Sequence, residues 1–243
     1  MAVGDDGAAR REAETAIAHA RKLKHPHSLA FALAVAARMS VRQGDTKQAR
    51  AWATEALEVS ERNGFPVWGS MARILNAWTT ARLEGPDAGV TEMQQVLDGY
   101  REKGTYVSTA YYMGLLAELY GQQGRFDDGL ALIAEALDES YAEDRHAEPE
   151  VLRIRGVLLE ARGAADDAEH AEASYRKALK VGDALGAGGW ILKSAVSLAR
   201  HLANNDDRVE AASTLEYALA KYGQEERGPD LDDARSLLER LGT

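Results

Sequence analysis

Three spaced positions recur along this chain at a near-constant interval, and they restrict it to one kind of architecture. Gly129, Ile133 and Ala136 follow one another at offsets of four and three, with Gly89, Met93, Val96 forty residues upstream and Ala49, Ala53, Ala56 forty further. Downstream come Ala171, Tyr175, Ala178 and then Ala211, Leu215, Ala218, at steps of 42 and 40. Such offsets select one stripe of an α-helix, not one face of a strand. A period of this length marks stacked supersecondary units, none of which can hide its apolar face alone. The small members of the triplet serve close crossings, since helix axes about 8–10 Å apart leave no room for large side chains at the contact.

Each unit reads as a helix pair. The stretch from Thr105 to Tyr141 shows it most plainly: Tyr106, Ala110, Met113, Ala117 and Tyr120 form one stripe, and Phe126, Leu130, Ile133, Leu137 and Tyr141 a second. First helices are expected near Ser28–Gln43, Pro66–Glu84, Tyr106–Gln123, Glu148–Arg162 and Trp190–Ala203. Second helices are expected near Thr46–Arg62, Asp87–Lys103, Phe126–Tyr141, Asp166–Leu185 and Arg208–Tyr222. The turns at Gly44, Gly85, Gly124 and Asn204 supply a C-terminal Gly or Asn followed by a capping residue. The pairs therefore cover 28–62, 66–103, 105–141, 148–185 and 190–222, within one superhelical domain over 1–243. Ala9, Ala13 and Ala16 repeat the triplet once more, so Ala8–Lys24 reads as a half repeat, a second helix without its first. At the other end, residues 229–241 place Leu231, Ala234, Leu237, Leu238 and Leu241 on one side of a short helix, as a cap on a repeat stack should. The unequal ends suggest a C-terminal piece of a longer protein.

Composition removes several classes of function. The chain has no cysteine, which excludes disulfides, thiolate metal sites and a cysteine nucleophile. Its net charge is −10 with no dense basic block, against what nucleic-acid binding requires. The longest apolar run, Leu29 to Ala37, has nine residues, well short of the roughly 18 that span a bilayer. No apolar signal core opens the chain, so a cytoplasmic location is expected. No phosphate loop, nucleophile elbow or zinc-protease motif is present. His25 and His27 flank Pro26 without further ligands nearby, and the acidic group at Asp166, Asp167, Glu169, His170 and Glu172 suits a helix start without a metal. No catalytic residue, metal site or cofactor is assigned.

Several stretches carry a family likeness: GFPVWGSMARILNAW (Gly64–Trp78), YREKGTYVSTAYYMGLLAELYGQQGR (Tyr100–Arg125), LRIRGVLLEARG (Leu152–Gly163), AEASYRKAL (Ala171–Leu179), SLARHL (Ser197–Leu202) and PDLDDARSLLERL (Pro229–Leu241). Over about residues 30–241 the chain resembles the tetratricopeptide (TPR) C-terminal region of large bacterial STAND-type ATPases. In that family the repeats are joined to an adenylyl or guanylyl cyclase domain, or to a LuxR/MalT-type DNA-binding domain. The period here exceeds the usual 34 residues. Trp190 stands where such proteins tend to carry a Trp, whereas the turn at Asn204–Asp207 and the stretch at 222–227 depart from the pattern.

The resemblance implies an all-α, right-handed TPR-like solenoid of about five helix pairs, with an N-terminal half repeat and a C-terminal capping helix. It implies a regulatory arm for signal transduction that binds protein or peptide, in concert with the parent's ATPase or cyclase domains. A free-standing adaptor or peptide receptor, self-associating through its unpaired N-terminal helix as a homo-oligomer, is the alternative. First helices of such repeats line a concave groove. The register places Phe31, Arg38 and Arg42 there, then Met71, Trp78 and Arg82, then Tyr111, Glu118 and Gln122, then Glu150, Arg153 and Val157, and finally Lys193, Val196 and Arg200. Tyr, Trp and Arg dominate binding energy at interfaces, and arginine forks hold carboxylates. A peptide with an acidic group or a free C-terminus is the expected ligand. Trp78 has a competing assignment to the core, and Glu150, Arg153 and Arg200 to pairs between neighbouring helices.

Overall fold

The computed structural model describes residues 6–104, 107–138, 145–222 and 228–242, with side chains from Arg10 onward. Twelve α-helices are present among the described residues, and no strand. They are α1 (Asp6–Leu23), α2 (Pro26–Arg42), α3 (Thr46–Asn63), α4 (Pro66–Glu84), α5 (Val90–Glu102) and α6 (Thr109–Gln122). They continue as α7 (Phe126–Ala136), α8 (Glu148–Arg162), α9 (Asp167–Ala184), α10 (Gly188–Asn204), α11 (Arg208–Tyr222) and α12 (Pro229–Leu241). Each helix packs on the next in sequence, and the first helices of successive hairpins also pack on one another. This neighbour-on-neighbour pattern is that of an all-α solenoid.

The triplet does the work its spacing implies. Ala49, Ala53, Met93, Ile133, Ala171, Tyr175, Ala211 and Leu215 are fully buried along the seams. A Cβ on Gly89 would lie 2.0 Å from the Ala77 carbonyl oxygen, and one on Gly129 would lie 3.0 Å from that of Ala117. Here α5 and α7 rest almost backbone to backbone on the helix before them. In the second unit the third position shifts by one: Val96 is half-buried and Leu97 takes the interior.

Three helix limits depart from expectation. The second helix of unit two begins at Val90, because Gly85 (φ 116°) and the non-helical Gly89 (φ −131°, ψ −15°) set off a separate 3-10 turn over Pro86–Ala88. The first helix of unit three begins at Thr109, after Ser108 in the left-handed region (φ 59°). The helix expected over 126–141 stops at Ala136, with Leu137 at its C-cap. Tyr106 and Tyr141, assigned above to apolar stripes, lie outside the described residues.

Local chemistry ends the helices as anticipated in several turns. Asp45 accepts from the Gln48 amide at 3.1 Å, and Asp207 from that of Glu210 at the same distance. The acidic start of α9 is structural: Asp167 accepts from the Ala164 amide (2.9 Å) and twice from Arg162 (2.7 and 2.9 Å). Those bonds hold its carboxyl at about 2, led by the arginine. His25 caps α2 through the Ser28 amide (3.3 Å), and His27 accepts from the Trp68 indole (3.0 Å).

Candidate functional site

The inner face of the superhelix gathers first-helix side chains that are far apart in sequence. Lys193 on α10 donates to the backbone carbonyl of Arg42, at the end of α2, at 2.6 Å, across 151 residues of chain. The Arg42 guanidinium stands 4.9 Å from the Trp190 ring centroid, and the Tyr111 ring is 6.3 Å from the same indole. The superhelix thus turns tightly enough for its first and fifth hairpins to touch across the centre. A cation over an aromatic face contributes about 0.5–2 kcal/mol according to burial.

Beside this contact lies a buried ion pair. Arg153 forks onto Glu150 with bonds of 2.7 and 2.8 Å, one turn apart on α8, and both side chains are largely out of solvent. Burial alone would push the Glu150 carboxyl up; Arg153, assisted by Lys193 and Arg42, brings it down to about 2. The Tyr111 hydroxyl is pushed up, first by burial and then by the Glu150 charge. Glu150 is therefore a fixed anion that orders the cations around it.

Three inner arginines lack such an acid. Arg38 donates to the Ser108 hydroxyl, Arg42 rests on Trp190, and Arg82 lies over the Trp78 ring at 5.6 Å. Among the described residues none of the three has a carboxylate within 4.0 Å. Beside Arg153 a notch of about 250 Å³ opens between α6 and α8. Its apolar wall includes Phe126, Ile154, Val157 and Leu158, and Glu118, Gln122 and Arg153 form its polar rim. The notch is shaped by Gly121, where a Cβ would meet Leu158 Cδ2 at 2.4 Å.

Of the residues placed in the groove by register, the structure brings together Arg38, Arg42, Tyr111, Glu150, Arg153 and Lys193. Glu118, Gln122 and Val157 line the adjoining notch. The others sit elsewhere. Met71 and Trp78 are core residues, 1% and 5% exposed, so neither offers a free groove surface. Each falls on the side of α4 that faces neighbouring helices, where an aromatic or thioether side chain gains most from burial. Val196 is buried as well. Phe31 packs edge-on against Trp68 (5.0 Å) and lines a cleft with α1. Arg200 is held by Asp233 of the capping helix at 2.6 and 2.7 Å.

Register missed the centre of the cluster, Trp190. The signal was present, since Trp190 lies one helical turn before Lys193 and so on the same face. The notch residue Phe126 gave no comparable signal, because it reads as ordinary apolar stripe. Among the described residues no group of three or more His, Asp or Glu is placed to hold a metal ion. Among the described residues no helix is long and apolar enough to cross a membrane.

Comparison with known proteins places this geometry in a fold. No protein-family model and no curated protein sequence matches the chain. A crystal structure of BtubC (BKLC) from P. vanneervenii is similar over 90% of this chain and 93% of its own, with a TM-score of 0.59 and 20% identity. The TPR2AB domain of yeast Sti1 in complex with pHSP90 matches at a TM-score of 0.42 and 11% identity, over 98% of this chain and 100% of that one. A tetratricopeptide repeat protein from Parabacteroides merdae ATCC 43184 matches at 0.42 and 12%, over 95% and 91%. The fold is an all-α solenoid of stacked helical hairpins.

Proposed function

We propose that this chain is a non-catalytic repeat domain whose inner face binds a short protein segment bearing an acidic group. One observation carries the reading: in a chain of net charge −10, Arg38, Arg42 and Arg82 lie on the inner side with no carboxylate within 4.0 Å among the described residues. A carboxylate delivered to a guanidinium in a partly desolvated groove forms a charge-assisted pair roughly twice as strong as a neutral hydrogen bond. The apolar notch between α6 and α8 accepts a neighbouring side chain of the same segment. The fixed Glu150 carboxylate rejects a second acid near Arg153, which gives the groove a polarity.

The test is a titration of labelled peptides that differ only in their acidic residues or in a free against an amidated C-terminus. Acidic peptides are expected to bind, and Arg42→Ala and Arg82→Ala to weaken them by about tenfold each, about 1.4 kcal/mol. Equal binding of neutral and acidic peptides, or arginine variants that bind as well as the parent, would sink the reading.

In its wider setting the domain serves as the cytoplasmic sensory or regulatory arm of a bacterial ATPase that drives a cyclase or a transcription regulator. The sequence resemblance supports this context, and the reading frame upstream in the source gene tests it. The alternative is a free-standing adaptor.

A further inference from the structure

Where one hairpin follows another, the second helix of the first meets the first helix of the next, and the register pairs the same two positions at each joint. The pairs are Ala20 with Leu29, Ser60 with Gly69, Tyr100 with Thr109, and Gly182 with Ile191. The glycines report the contact directly. A Cβ on Gly69 would stand 3.4 Å from Ser60 Cβ, and one on Gly182 would stand 3.3 Å from Ile191 Cγ1. Each of the other pairs brings a large side chain to its joint; Ser60 and Gly69 bring none. Helix α5 leaves a second gap at the same place. Gly99 stands one period after Val59, and a Cβ there would meet nothing within 4 Å. The outcome is a cavity of about 600 Å³ between α3, the start of α4, and α5. The equivalent place one unit earlier, which holds Leu29 and Val59, measures about 380 Å³. Small-molecule sites occupy roughly 300–1,000 Å³.

We infer that this cavity binds a small organic acid, with its apolar body against Leu57, Phe65 and Val96 and its anionic group at Lys103. The three apolar side chains line the cavity and are only half-buried without a ligand. Arg73 of α4 reaches Glu61 of α3 at 2.6 Å, so two of the walls are tied together and these two lining charges cancel. That leaves Lys103 as the uncompensated charge of the lining, in a chain of net charge −10. Gln95 and Ser70 line the cavity too, and neither they nor Lys103 have a side-chain hydrogen bond or ion pair among the described residues. A carboxylate or sulfonate here accepts charge-assisted bonds from the ammonium, with amide and hydroxyl donors beside it. A neutral ligand of the same shape leaves Lys103 unmatched, and a cation meets like charge. The cavity shares no residue with the inner groove or its notch, so this inference is independent of the peptide reading.

The experiment titrates the whole chain with anilinonaphthalene sulfonate, an aromatic body carrying one anionic group, and reads its fluorescence; uncharged phenylnaphthylamine is the control. Both dyes are expected to bind. Gly69→Leu with Gly99→Val installs the residues found one period earlier and should weaken both dyes by at least about tenfold. Lys103→Gln should weaken the sulfonate alone, by about fivefold. Arg42→Ala, in the inner groove, should change neither. Circular dichroism checks that the filled variant is folded. Should the double variant unfold, Gly99→Val alone decides, because its side chain enters open space and valine is a better helix former than glycine. No sulfonate binding, a folded filled variant that binds as the parent does, sulfonate binding indifferent to Lys103→Gln, or loss of binding in Arg42→Ala would overturn the inference.

Discussion

The outer and inner faces of this solenoid handle charge in opposite ways. Outside, arginines meet glutamates of the next unit at a fixed separation of 34 residues: Arg21 with Glu55 (2.6 Å), Arg50 with Glu84 (2.8 Å), Arg101 with Glu135, and Arg176 with Glu210 (2.7 Å). Inside, the positions equivalent by forty-residue steps change character. Arg38 is followed by Trp78 and Glu118, Phe31 by Met71 and Tyr111, and Arg42 by Arg82 and Gln122. The outer pairs repeat because the stacking repeats, and they stitch each unit to the next. The inner residues have no common structural duty, and among the described residues Arg38, Arg42 and Arg82 have no carboxylate within 4.0 Å. In a repeat protein, chemistry that keeps the period belongs to the architecture, and chemistry that breaks it is free to serve a partner.

That contrast can be broken in several places. The largest effects should come where inner residues turn out to be structural. Trp78→Ala should cost about 3–5 kcal/mol in denaturant unfolding, as for other large aromatic truncations in a core. Glu150→Ala should cost about as much, because it leaves Arg153 charged and buried without its partner. A marginal loss at either site would return that residue to the groove surface. Next comes the seam: Gly89→Ala drives a Cβ into the Ala77 carbonyl, a backbone atom that cannot swing aside, and should cost about 1–3 kcal/mol.

Acid unfolding probes the fixed anions. The carboxyls of Glu150 and Asp167 are both depressed to about 2 in the fold. Each therefore favours the native state fully above its unfolded pKa, near 4.5 and 3.8, and that contribution disappears as the pH falls toward 2. Stability measured from pH 6 downward should decline through this window, and Glu150→Gln should flatten the decline. The smallest effect belongs to the outer ladder. Arg176→Ala should change stability by less than about 1 kcal/mol and leave peptide binding untouched. A loss of binding there would erase the distinction between the faces.

How much could be read in advance follows from the same physics. The hairpins, the seam glycines and the capping helix were legible, since each depends on spacing within about forty residues. Gly89 and Gly129 announced close crossings because a side chain at either position would press on the carbonyl of a neighbouring helix. The groove set was legible in part. Register placed Arg38, Arg42, Tyr111, Glu150, Arg153 and Lys193 on the inner side, but it could not tell which positions are buried: Met71, Trp78, Tyr111 and Glu150 share that register and are all buried. Burial on α4 depends on how closely α2 and α6 flank it, and no pattern within α4 records that distance.

The sequence by itself determined an all-α stack of hairpins, because helical period and close-crossing residues are local properties repeated along the chain. Only the tertiary structure decided that α2 and α10 meet, putting Arg42, Tyr111 and Trp190 around one point. The small rotation added at each unit sets that closure. It accumulates over five hairpins, and no single stretch of sequence encodes the sum.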